Sequence, residues 1–148
     1  MSELVRYEVR DQVAIVTVDN PPVNALSPGV PEAIEAAVAR APRWADAHFS
    51  LAAVYARIDR VPDAMTELDS TLGLSPDHYR ANLLRGRILA LQGNPLGALN
   101  NLEKAIQVQP DSREAHLFLA DAYAQLGRAL DAARERGLAQ NLGEPASH

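Results

Sequence analysis

PDHYRANLLRGRILALQGNPLGALNNLEKAIQVQP, from Pro76 to Pro110, decides the fold of this chain. It begins and ends on proline, and Pro42 stands at the same distance of 34 residues before Pro76. Aligned on the three prolines, small residues fall into columns: Ala47/Ala81/Ala115, Ala52/Gly86/Ala120, Ala64/Ala98/Ala132 and Thr71/Ala105/Ala139. Tyr55/Leu89/Tyr123 and Asp59/Gly93/Gly127 keep the same register. A fixed period of this length marks one supersecondary unit stacked several times. Small side chains recur where helices must approach closely, with larger apolar ones between them.

Each period holds two helices. In the quoted stretch, Tyr79–Gln92 and Pro95–Val108 flank Gly93-Asn94. Upstream, Ala45–Ile58 carries Phe49, Ala52, Ala53, Tyr55 and Ala56 at helical spacing. Asp59-Arg60-Val61-Pro62 then turns the chain into Asp63–Gly73, with Gly73 expected as a C-terminal glycine. Downstream, Arg113–Leu126 and Ala129–Asn141 flank Gly127. A proline after each second helix prevents its continuation. Asp77, and Asp111 or Ser112, are the expected N-caps of the following helices. A further helix, Pro31–Ala41, falls in the same frame as the second half of an incomplete unit. At the other end Leu68 and Leu102 give way to Arg136, which reads as the polar cap of a terminal repeat.

These columns resemble the tetratricopeptide repeat family over residues 42–140. The resemblance implies a mainly α fold: a short α-solenoid of about three helix–turn–helix repeats plus a preceding helix. The units span 45–78, 79–112 and 113–141 within a region 43–141. Residues 30–42 complete a partial repeat, and 142–148 form a flexible tail. The family presents a concave face built from first helices. Here that face implies Phe49, Ala53, Arg57, Arg80, Leu83, Arg87, Leu91, Leu117, Asp121 and Gln125 as partner-binding residues. Arginines beside leucines suit an extended or helical peptide with acidic and apolar side chains. Chaperone-binding members clamp a C-terminal carboxylate. The corresponding positions, Phe49, Ala53, Leu84, Glu114 and Phe118, offer no such clamp.

Residues 1–29 do not repeat. Leu4–Arg10 and Val13–Val18 read as two strands joined at Asp11-Gln12, an N-terminal β-hairpin. Asp19-Asn20-Pro21-Pro22 ends the second strand. This text, with Asn20-Pro21-Pro22-Val23-Asn24-Ala25-Leu26-Ser27 after it, resembles the N-terminus of the crotonase (enoyl-CoA hydratase/isomerase) superfamily over residues 1–41. In that superfamily the Asn-Pro loop helps line a coenzyme A site. Catalysis there also needs later oxyanion-binding glycine segments and acid/base carboxylates, and these are missing here. The chain is therefore expected not to be an enzyme and to hold no cofactor and no catalytic site.

Composition narrows the function further. The net charge is −5, with three arginines against six carboxylates up to Ala41, so neither part reads as a nucleic-acid module. The absence of cysteine removes disulfides and thiolate zinc sites. His48 and His116 share a column but lie two repeats apart, too far to share a metal. No window approaches the ~18 apolar residues of a membrane helix, and charged Met1–Arg10 does not read as a signal peptide. The resulting expectation is a cytoplasmic, non-catalytic interaction module for an unidentified protein or peptide, with no membrane and no nucleic acid. A degenerate acyl-CoA-binding protein and a self-assembly module, homodimeric through the hairpin, are the alternatives.

Overall fold

The computed structural model describes residues 5–10, 13–18 and 29–143. The expected connection Asp11-Gln12, the Asn-Pro loop and the tail from Glu144 lie outside the described residues. The chain divides into two compact units, Met1–Pro76 and Asp77–His148.

The first unit holds strands β1 (Val5–Arg10) and β2 (Val13–Val18), paired antiparallel with Val5 opposite Val18 and Arg10 opposite Val13. Helices α1 (Val30–Arg40), α2 (Ala45–Arg57) and α3 (Val61–Leu74) follow. β1 lies beside α1, α1 packs on α2, and α2 pairs with α3. The second unit holds α4 (Tyr79–Leu91), α5 (Pro95–Val108), α6 (Arg113–Gln125) and α7 (Ala129–Gly143). There α4 pairs with α5 and α6 with α7, while α5 packs on α6 and α4 runs alongside α6.

The columns of small residues are the helix contacts. Ala52, Ala64, Leu68 and Thr71 are fully buried in the first unit, and Ala81, Ala98, Leu102, Ala105 and Ala120 in the second. Alanine on one helix admits a leucine from the next. Each such leucine contributes about 1.5–3 kcal/mol on burial. At Gly86 the fit is tightest: a Cβ there would lie 2.6 Å from Leu102 Cγ and 3.3 Å from the Ala98 carbonyl oxygen.

All three hairpins turn by one device. Asp59, Gly93 and Gly127 have φ of 61°, 77° and 73°, the left-handed conformation. The next amide closes the turn by donating back to the carbonyl five residues earlier: Arg60 to Tyr55, Asn94 to Leu89 and Arg128 to Tyr123, at 2.8–2.9 Å. This is the Schellman ending, which satisfies carbonyls the helix leaves open.

The second helices end differently, and here two expectations fail. Gly73 is not a C-terminal cap: α3 passes through it to Leu74, and the Ser75 amide donates to the Thr71 carbonyl at 2.8 Å. Gln109 repeats this on Ala105 at 2.9 Å. Ser75 and Gln109 have φ of −143° and −130°, the extended backbone that a following proline imposes. Proline ends these helices, so no left-handed glycine is required. Asp77 is likewise not the N-cap of α4. That position is His78, whose Nδ1 accepts from the Ala81 amide at 3.2 Å. Ser112 caps α6 as expected, its Oγ accepting from the Ala115 amide at 3.1 Å. It also meets the Tyr79 hydroxyl at 2.5 Å. Smaller differences concern helix ends. α1 begins at Val30 and α3 at Val61, and α7 continues to Gly143.

Candidate protein-binding face

The outward side of α4 is a line of residues three to four apart. Arg80, Leu84, Arg87 and Leu91 succeed one another at the spacing that places side chains on one helix face. Arg80 and Arg87 are exposed, Leu84 is half-buried, and Leu91 is 77% exposed. The Arg87 guanidinium lies over the Phe118 ring of α6, 5.5 Å from its centroid. On α6 itself, Leu117 is 39% exposed. Gln125 is exposed, and so is Asp121, whose carboxylate lies 3.7 Å from Arg136 on α7.

Not every expected residue lies on a surface. Leu83 is only 8% exposed and Phe49 7%. Both side chains are buried. On α2, in the first unit, Ala53 is half-buried and Arg57 exposed. The second unit therefore brings together Arg80, Arg87, Leu91, Leu117, Asp121 and Gln125. Phe118 and Leu84 join them. They entered the sequence reading only as failed clamp positions. Their signal was present: they share a column and flank the arginine that needs an aromatic support.

The polar residues that could suggest chemistry are used to hold hairpins together. His48 Nδ1 meets the Glu67 carboxylate at 2.7 Å and its Nε2 meets the Pro42 carbonyl at 2.9 Å. His116 does the same with Glu135 at 2.6 Å and Pro110 at 2.9 Å. In the middle repeat the equivalent pair is Asn82 and Asn101, joined at 2.9 Å. Asn82 Nδ2 donates to the His78 carbonyl at 3.2 Å, and Arg85 donates to Asn101 Oδ1 at 2.8 Å. Glu67, Glu135 and Asn101 each stand 19 residues after His48, His116 and Asn82, across the turn. Tyr55 donates its hydroxyl to Glu35, and Arg60 stacks over the Tyr55 ring at 4.5 Å. Burial first, and then the Glu35 hydrogen bond, push the Tyr55 hydroxyl well above its usual pKa. Tyr123 is raised too, by burial and then by Glu103, with Arg128 over its ring at 4.6 Å. Both phenols thus stay protonated and serve as packing and hydrogen-bonding groups. What remains outward on α4 and α6 is suited to binding: large apolar side chains between guanidinium groups.

Comparison with known proteins agrees with this architecture. Two tetratricopeptide repeat models match, one over residues 32–77 and another over residues 89–136. Neither includes residues 1–31, and nothing in these comparisons supports a crotonase relationship. A crystal structure of MamA has 22% identity and a TM-score of 0.71, over 77% of this chain and 69% of that one. MamA from Desulfovibrio magneticus RS-1 has 21% identity and a TM-score of 0.72, over 78% and 67%. MamA of AMB-1 has 24% identity and a TM-score of 0.71, over 80% and 64%. The chain thus spans about two thirds of the length of these structures, and at such identities they share its fold. No curated protein sequence matches.

Proposed function

Since this chain belongs to the tetratricopeptide-repeat family, two of whose models together take in more than half of it, we propose a docking face for its partner. The chain is a protein–protein interaction module. Its partner is a protein or peptide that lies on the outward faces of the first helices: Arg80, Arg87 and Leu91 of α4 with Leu117, Asp121 and Gln125 of α6. In the first unit Ala53 and Arg57 of α2 are the corresponding positions, and Phe49 of α2, like Leu83 of α4, is buried. The observation that carries this reading is Leu91, 77% exposed at the end of α4, with Arg80 and Arg87 at helical spacing before it. Exposed apolar side chains grouped in this way favour partner contact. The module acts by binding and not by catalysis, in the cytoplasm. Among the described residues no helix is long and apolar enough to cross a membrane.

Site-specific photo-crosslinking tests the face. A crosslinker at Leu91 should capture a discrete partner from cell extract. The same group at Leu130, 88% exposed on α7, should not. Equal capture at both, or capture at Leu130 alone, rules the face out.

A second reading concerns β1 and β2. Among the described residues β1 and β2 form a two-stranded sheet, and the residues of β2, Val-Ala-Ile-Val-Thr-Val, include no charge to discourage edge pairing. Two copies joined along β2 would make a four-stranded sheet and a homodimer. Light scattering at about 100 μM distinguishes the cases, since a monomer there excludes the dimer. In this reading residues 1–41 supply no acyl-CoA site. A calorimetric titration should find no tight binding of coenzyme A.

A further inference from the structure

Two imidazole rings in this chain face more acceptors than a neutral ring has protons. His116 Nδ1 lies 2.6 Å from the Glu135 carboxylate, and its Nε2 lies 2.9 Å from the Pro110 carbonyl oxygen. His48 stands in the same way between Glu67, at 2.7 Å, and Pro42, at 2.9 Å. A neutral imidazole carries one N–H and one bare lone pair. Either tautomer would press that lone pair against an oxygen that can only accept. A hydrogen on each of the two contacts removes the conflict. The second proton can sit on the ring or on the carboxylate, and the count for the pair is the same. Each folded pair therefore holds one proton more than a neutral imidazole beside a carboxylate. Counted with neutral histidines the chain stands at −5, and two retained protons bring it from −5 to −3.

The middle repeat supplies the contrast. There Asn82 and Asn101 take the two places, joined at 2.9 Å, and neither side chain titrates.

Charged neighbours come from every helix packed on these pairs. Against α6 pack α7, α5 and α4. α7 brings Arg134, 3.5 Å from Glu135 and 3.4 Å from Asp131. α5 brings Lys104 and Glu103, the latter 3.5 Å from the Tyr123 hydroxyl. α4 brings Arg80, Arg85, which donates to Asn101, and Arg87, which lies over Phe118. Against α2 pack α1 and α3. Glu35 takes the Tyr55 hydroxyl and Asp63 pairs with Arg60, while Glu32, Arg40 and Asp69 are exposed. A neighbouring cation can steady a carboxylate. Only a hydrogen on the contact itself removes a clash between a ring lone pair and an oxygen.

We propose that the first and third hairpins are closed by proton-held clasps, His48–Glu67 and His116–Glu135, which make the outer repeats sensitive to pH while the middle one is not. The inference is independent of the docking face. Its sign follows from the proton count. A free imidazole gives up its second proton near about pH 6.5. Above that pH the unfolded chain holds fewer protons than the folded one, so stability falls as pH rises. Without cysteine no thiol titrates in the same range.

The test is urea unfolding of the whole chain, followed by circular dichroism between about pH 7 and 9, below the range of lysine and tyrosine. The unfolding constant should rise about tenfold per pH unit for each clasp in the cooperative unit. His116→Asn/Glu135→Asn, which copies the middle repeat, should lose the share of the third hairpin. Adding His48→Asn/Glu67→Asn should leave the curve flat. Should these variants fail to fold, the unaltered chain decides. Unfolding it at about pH 8 in weakly buffered urea should release about two protons, read with an indicator dye. A flat curve with no proton released overturns the proposal. So does a slope that the asparagine variants leave unchanged.

Discussion

The outer two repeats and the middle one solve the same packing problem with different chemistry. In the first and third, a histidine bridges a glutamate and a proline carbonyl, a tyrosine lies under an arginine, and that arginine pairs with an aspartate three residues on. In the middle repeat the histidine–glutamate pair becomes Asn82–Asn101 and the tyrosine becomes Leu89. The arginine–aspartate pair is replaced by Asn94, whose side chain accepts from the Gly97 amide at 3.0 Å. The backbone turn and the small-residue columns do not change. Close approach of helices is therefore the shared requirement, and polar groups are exchanged as complete sets. The reason is energetic. A buried polar group costs little when satisfied and about 1–3 kcal/mol when its partner is removed.

The largest expected effect breaks one such set. His116→Ala leaves Glu135, whose side chain is 7% exposed, with Arg134 at 3.5 Å beside it and its histidine partner gone. Losing one member of a buried pair costs about 3–5 kcal/mol. In the first repeat the side chains of His48 and Glu67 are 12% and 20% exposed, so water can replace the partner. His48→Ala should cost clearly less in urea unfolding. Equal losses would mean that burial does not govern these pairs.

Next is Ala98→Leu, at a fully buried contact in the middle repeat. Overpacking there should cost about 1–3 kcal/mol. For a chain of this size that lowers Tm by about 3–10 °C. An unchanged melt would show that the small-residue columns are not close contacts.

A transplant sharpens the comparison. Asn82→His or Asn101→Glu alone should destabilise by about 1–3 kcal/mol, because each leaves a buried group mismatched. Together they recreate the outer pair and should recover at least half of the summed loss. A double-mutant cycle with no coupling would show that the sets are not interchangeable.

The smallest effects lie in the turns. Asp59 occupies the left-handed position that glycine fills at Gly93 and Gly127. Asp59→Gly should be neutral or stabilise by up to about 1 kcal/mol, and Gly93→Ala should cost about 1 kcal/mol. Thermal melts of both variants check the opposite signs.

How much of this was legible in the sequence differs by feature. The columns at 34 residues expose the helix pairs, because close helix contact permits only small side chains at Ala64, Ala98 and Ala132. The Asp59/Gly93/Gly127 column marks the turns, because few residues other than glycine adopt positive φ. Gly73 misled for the complementary reason. Glycine permits a left-handed cap without requiring one, and Pro76 had already ended the helix. Phe49 and Leu83 were placed on the binding face because spacing along one helix cannot show how far a neighbouring helix wraps around it.

By itself the sequence determined the repeat period, the helix pairs and the cationic character of α4, since these are properties of spacing and residue type along one chain. Only the tertiary structure decided that His48 meets Glu67, that His116 meets Glu135, and that Arg87 lies over Phe118. Those meetings depend on how two helices are rotated against each other. That rotation is fixed by the joint packing of all their small and large side chains, and by no single position in the chain.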